Sequence, residues 1–285
     1  MERLPQLEDD GLVTPEVGDW GEEKYLLVQG YARMFSTSMK GKWDERVYAD
    51  LFSGAGRARI KGTDRIVPSS ALLAVQIPDR FDRYLFCDSD RGKLSGLEAR
   101  VRTVAPGVPA TFLHGDANAL VGQVLSSIPR GDRHHRVLTL CFVDPFACSN
   151  LRFDTVRELS ERFVDFLVLI PSGMDAHRNQ AWYEDPLCPI LDDFLGGDSW
   201  RSEWERARAE RPKLAFGDFV ADTFGRRMQQ LSYIYPGLEF LQRVRSTEKN
   251  LPLYHLGMFS RHPLGAKFWR EARKSSSSQR TLSFD

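Results

Sequence analysis

The residues best suited to chemistry are two glycines and a series of acids. In "VYADLFSGAGRARIKG", Val47 to Gly62, an apolar run ends at Asp50 and passes through Phe52 to Gly54 and Gly56. Glycine lets a backbone approach a ligand closely and take positive φ angles where a turn requires them. Further apolar runs end at Asp88 and Asp90, at Asp116 and Asn118, and at Asp144-Pro145-Phe146. A single Asp in such a place caps the next helix by accepting its free amide hydrogens. The series together fits a nucleoside better: Asp88 or Asp90 would accept both ribose hydroxyls, and Asp116 an adenine amino hydrogen. A dinucleotide is disfavoured, because G-x-G-x-x-G must open straight into a helix that faces the phosphates. Here the third position is Arg59, and a basic loop carrying Arg57, Arg59, Lys61 and Arg65 runs on to Pro68. No G-x-x-x-x-G-K-[ST] is present. A nuclease built on Asp88, Asp116 and Asp144 around a metal ranks last, since it leaves the glycine turn unexplained, and no metal site is expected.

The elements that must hold these residues read as alternating strands and helices. Strand-length apolar runs recur at 46–52, 83–89, 110–116, 137–145 and 165–171, with helical segments at 69–76, 91–104, 117–128 and 154–162. That alternation predicts an α/β fold, a mostly parallel sheet covered on both faces, with ligands beyond the carboxyl ends of its strands. Residues 1–45 form an extension, frayed at its acidic start, and a helix. The cofactor-binding core is 46–173. From 174 to 236 the alternation gives way to a helical insertion rich in Trp, Glu and Arg. Residues 237–274 supply two antiparallel strands and a helix that complete the core, and the serine-rich 275–285 is expected to be disordered.

Composition narrows the partners. Lysine and arginine number 39 and so do aspartate and glutamate, so no overall field draws the chain to nucleic acid or membrane. The four cysteines are scattered without a CxxC pair, as expected of reduced thiols. No apolar run reaches bilayer length and the start is unlike a signal peptide, so a cytoplasmic protein is expected. Two local basic groups could meet a nucleic acid or another anionic substrate: Arg57, Arg59 and Lys61 beside the glycines, and Arg261, His262, Lys267, Arg270, Arg273 and Lys274 with Phe268 and Trp269 interleaved. The bland alternatives are a solvated loop and an amphipathic helix.

The stretches "GDWGEEKY", "YADLFSGAGR", "GDAN", "FVDPF", "FLVLIPS" and "FSRHPLGAKFW" together resemble the three-Cys-motif partner proteins, a bacterial family with a Rossmann-like class I methyltransferase fold. The resemblance runs from about Val17 to Trp269. It implies a seven-stranded sheet of order 3-2-1-4-5-7-6, S-adenosylmethionine as cofactor, and as partner a radical S-adenosylmethionine enzyme whose three cysteines hold an iron–sulfur cluster. It also implies that Asp50 and Phe52 belong with Gly54, Gly56, Asp88, Asp90, Asp116 and Asn118 to the cofactor site. "VDPF" is similar to the [D/N/S]-P-P-[Y/F] of methyltransferases that act on amino groups of bases. Asp144 would then accept an amino hydrogen, Pro145 would set the turn and offer a carbonyl, and Phe146 would stack on the base. The second proline is absent, Ala147 and Cys148 following Phe146. Two functions are expected from this: methyl transfer to an amine of a nucleic acid or nucleobase, or a cofactor-binding module that serves the radical enzyme.

Overall fold

The computed structural model describes residues 3–246 and 250–281, with side chains to residue 274. The chain runs through β1 (Glu16–Val17), α1 (Trp20–Met39), β2 (Glu45–Asp50), β3 (Arg57–Ile60), β4 (Ile66–Pro68), α2 (Ser70–Val75), β5 (Arg83–Asp88), α3 (Arg91–Val104), β6 (Ala110–His114), α4 (Val121–Ser127) and β7 (Val137–Val143). After α5 (Phe153–Leu159) and β8 (Val164–Ile170) come α6 (Gln180–Tyr183), α7 (Ile190–Leu195), α8 (Trp200–Glu210) and α9 (Phe216–Gln230), then β9 (Gln242–Arg245), β10 (Pro252–Phe259) and α10 (Pro263–Thr281).

Seven strands form one sheet in the order β6-β5-β2-β7-β8-β10-β9. The first five are parallel, and β10 runs antiparallel to both β8 and β9. Numbered among themselves these strands read 3-2-1-4-5-7-6, the order of the Rossmann-like methyltransferase fold. Helices cover both faces, so the central strands need not alternate: all seven residues of β7 are buried. Their side chains divide between two cores. Val47 and Ala49 of β2 join the layer of α4, α5 and the inserted helices, whereas Tyr48 joins that of α1, α2, α3 and α10. The α1–α10 contact is fixed by Trp269, buried with its ring 6.2 Å from that of Tyr31 and its Nε1 donating to Phe240 O at 2.7 Å.

Three segments depart from the sequence reading. The basic loop after the glycines is not a loop: β3 and β4 form an antiparallel hairpin, and β1 adds in parallel to make a three-stranded sheet. Alternation explains it, because Ala58 and Ile60 point into a small core while Arg57 and Arg59 face outward. The acidic start is not frayed either: Leu4 is buried, and Leu7 bridges to Ile66. At the other end α10 carries the serine-rich run as far as Thr281, residues 282–285 lying outside those described. No helix among the described residues is long and apolar enough to cross a membrane.

Candidate functional site

Parallel strands in register end level with one another, which sets Asp88, Asp116 and Asp144, at the ends of β5, β6 and β7, beside the glycine turn after β2 around one cleft of about 240 Å³. Phe52, Gly54, Asp88, Asp116, Asp144 and Phe146 line it, together with Lys93, Asn150 and, from the N-terminal segment, Pro15. At Gly54 φ is +62°, and a Cβ there would meet nothing within 4 Å. The glycine is therefore needed for the turn, and its open side faces the cleft. Its amide donates to Asp88 Oδ2 at 2.8 Å, while Asp88 Oδ1 accepts from Asp90 N at 2.8 Å. Asp88 thus locks the glycine turn to the end of β5 and presents its carboxylate edge to the cleft. Asp116 accepts from the amides of Asn118 and Ala119 at 3.0 and 3.1 Å and keeps its place in the lining.

Four of the expected cofactor residues do other work. Gly56, at φ +81°, has Leu97 Cδ1 only 2.8 Å from where a Cβ would stand; it lets α3 pack against the turn and does not line the cleft. Asp90 caps α3 by accepting from Lys93 N at 3.0 Å. Asn118 ties two loops together, its Oδ1 accepting from Arg152 N and Thr155 Oγ1 at 2.8 Å and its Nδ2 donating to Asn150 O at 3.0 Å. Asp50 lies wholly buried beneath the turn, accepting from Phe52 N at 3.2 Å and Ser70 Oγ at 3.1 Å. Burial, reinforced by the charge of Asp144, pushes its carboxyl up to about 7.

The Asp144-Pro145-Phe146 turn carries the most distinctive geometry. Asp144 Oδ2 accepts from Lys24 Nζ at 2.5 Å, and no protein group among those described hydrogen-bonds its Oδ1. Pro145 is buried, and Phe146 stands 79% exposed at the cleft. Lys24 comes from the buried face of α1 and lies 5.4 and 5.0 Å from the ring centroids of Trp20 and Tyr25. Burial alone would pull its ammonium down, but the Asp144 carboxylate, helped by Tyr25 and Asp50, outweighs it and holds the group above its ordinary value. Sequence reasoning does not select Lys24, although a signal exists: it continues the apolar stripe of Val28, Tyr31 and Phe35 at helical spacing.

The basic residues beside the glycines do not reach the cleft. Arg57 donates to Glu8 O at 2.6 Å and pairs with Asp10, Arg59 pairs with Asp9 at 2.9 Å, and Arg65 pairs with Glu22. Lys61 is exposed at the far end of β3, its amide bonded to Val17 O. These contacts fasten the N-terminal segment as a strap along the hairpin. Its second anchor is Arg100 of α3, 2% exposed, which donates to Asp10, Val13 O and, in the glycine turn, Ala55 O at 2.6 Å. The C-terminal basic group is spread over Arg261 and His262, just before α10, and over α10 itself, an amphipathic helix that buries Trp269. Arg261 and Arg273 are spent on backbone carbonyls, and Arg270 lies over the Phe240 ring. Among the described residues no three His, Cys, Asp or Glu side chains converge as metal ligands.

No protein-family model and no curated protein matches the chain. Among solved structures it is similar to protein LPL1258 of Legionella pneumophila, with 15% identity and a TM-score of 0.40 over 63% of this chain and 76% of that one. It is similar to EvdMO1 with 12% identity and a TM-score of 0.42, over 84% of this chain but 42% of that one, so it spans less than half of EvdMO1. With the magnesium protoporphyrin IX methyltransferase of Synechocystis, solved with bound SAH, it shares 9% identity at a TM-score of 0.40, over 84% and 83% of the two chains.

Proposed function

We propose that the protein is an S-adenosylmethionine-dependent methyltransferase acting on an amino group of a flat, nucleobase-like acceptor. The observation that carries this reading is the cleft itself: the open side of Gly54, the carboxylates of Asp88 and Asp116, and the free Oδ1 of Asp144 beside an exposed Phe146 face one space. The residues fit a nucleoside that lacks phosphates. Behind Gly54 the chain enters the β3–β4 hairpin instead of a helix, so no helix N-terminus is offered to a pyrophosphate. Asp88 would hold the ribose hydroxyls, Asp116 the adenine amino group, and the Gly54 turn would leave room for the methionine portion. When bound, the cofactor supplies an electrophilic methyl group on sulfur.

The chain's own part is to prepare the acceptor. Phe146 offers a face for stacking. Asp144 Oδ1 accepts an amino N–H, which turns the nitrogen lone pair toward the methyl and keeps it from delocalising into the ring. Lys24 holds the other oxygen, so the carboxylate is fixed in orientation before the acceptor arrives. Methyl transfer would form an N–C bond as the methyl's bond to sulfur broke, leaving the demethylated thioether, and the amine's proton would pass to Asp144 Oδ1, which already accepts its N–H.

Calorimetry with S-adenosylmethionine, its demethylated product and NAD tests the cofactor; binding of the two sulfur compounds and not of NAD is expected. Asp144→Ala should abolish methyl transfer and spare cofactor affinity. An active Asp144→Ala enzyme removes the catalytic assignment, and failure to bind either sulfur compound removes the whole reading.

A further inference from the structure

A second cavity, of about 380 Å³, lies at the opposite end of the sheet, where β7 and β8 begin and β10 passes into α10. Its walls are apolar, with Phe35 and Met39 of α1 facing Leu138, Phe163 and Phe268. Phe163 is 64% exposed and its ring centroid lies 5.7 Å from that of Trp43, so the apolar lining continues to the surface. Polar groups interrupt the lining on one side, where Asp165, the only charged residue of β8, stands with Ser260, Arg261, His262 and Lys42.

The cations around Asp165 are committed elsewhere or lie at the rim. Arg261 donates to the carbonyls of Leu231, Arg162 and Ser160 and stacks 4.5 Å over the Tyr233 ring. His262 uses Nδ1 to accept from Leu264 N, and Lys42 is exposed. Among the described residues no ion pair reaches the Asp165 carboxyl, and burial outweighs the nearby Ser260 hydroxyl and the Arg261 charge to push it up to about 7. A carboxyl in apolar surroundings without a counter-ion is costly to ionise. A hydrocarbon ligand would leave that cost in place and an anion would raise it, whereas a cation removes it.

We propose that this cavity is a binding site for a small amine, whose aromatic or branched body packs against Phe35, Phe163 and Phe268 while its ammonium group pairs with Asp165. None of these residues lines the carboxyl-end cleft, so the site stands apart from the proposed methyl transfer.

Titration of the full chain with 2-phenylethylamine, 2-phenylethanol and 3-phenylpropionate, followed by calorimetry, separates the ligand classes at nearly constant apolar bulk. The amine should bind at least about tenfold more tightly than the alcohol, and the carboxylate should bind least. Asp165→Asn should bring the amine down to the level of the alcohol and leave the alcohol unchanged. Equal binding of all three, a preference for the carboxylate, no amine binding at millimolar concentration, or an Asp165→Asn protein that keeps the amine preference each overturns the proposal. If that variant does not fold, the wild-type series decides alone.

Discussion

At the scale of single residues the site is dominated by charges taken out of water. Lys24 and Asp144 are 6% and 16% exposed, and a buried ion pair is sensitive to the loss of one member because the other charge remains uncompensated. Lys24→Met should therefore cost about 3–5 kcal/mol of stability, and adding Asp144→Asn should restore much of it, a double-mutant cycle in urea giving the coupling. An additive cycle would show that the pair does not act as a unit. Asp50 contributes to the pH dependence. Its carboxyl is raised from 3.8 to about 7, so the folded state holds a proton that the unfolded chain releases near pH 4. Its contribution is fully present below that pH and is lost as pH rises through about 7. Stability measured from pH 6.5 to 8 should fall on this account and on that of Asp165, raised likewise to about 7, and Asp50→Asn should lessen the fall; an unchanged slope would show that Asp50 ionises normally.

At the scale of elements the strap of residues 3–17 is the feature with the clearest mechanical consequence, since it supplies Pro15 to the cleft and is tied down by Arg100 and the outward arginines of β3. The Arg100 hydrogen bond outweighs burial to hold Asp10 down at about 2. Their contact therefore contributes stability above pH 4 and is lost as pH falls toward 2. Asp10→Asn should weaken the strap by about 2 kcal/mol, read as faster amide exchange in residues 3–17 with exchange in β7 unchanged. Equal protection in variant and wild type would mean that the apolar anchors Leu4 and Leu7 suffice. The sequence shows the central strands to within two residues because β2, β5, β7 and β8 are apolar runs buried on both faces. It does not reveal the hairpin as readily: "RARI" alternates like a strand, but its arginines draw attention as charges and their partners Asp9 and Asp10 lie about fifty residues away. The cleft was legible for the same reason as the strands, from acids placed at their ends. Lys24 was not, because what places it at the cleft is its pairing with a carboxylate 120 residues further on, and no local pattern encodes that distance.

At the scale of the whole molecule the inserted helices belong to the same apolar cluster as the sheet. Trp200 and Trp204 of α8 and Phe216 and Phe219 of α9 are continuous with Phe166 and Val168 of β8 and with Val143 of β7. The junction is also polar: Asp175 Oδ2 accepts from Cys148 N at 2.6 Å and Tyr183 donates its hydroxyl to the same carboxylate, joining the insertion to the turn that follows Phe146. A segment so joined has no separate core to unfold from, and its loss exposes one face of the central strands. Trp204, 5% exposed, with its Nε1 donating to Glu184 Oε1 at 2.6 Å, is the test position. Trp204→Ala should cost about 3–5 kcal/mol through the cavity it leaves, a fall in Tm of roughly 5–8 °C for a chain of this size. Because the core is shared, tryptophan fluorescence and far-ultraviolet circular dichroism should report one coincident transition in both proteins. Two separated transitions, with only the earlier one moved by the substitution, would mean that the insertion unfolds as its own unit and that the turn bearing Phe146 loses its support before the sheet does.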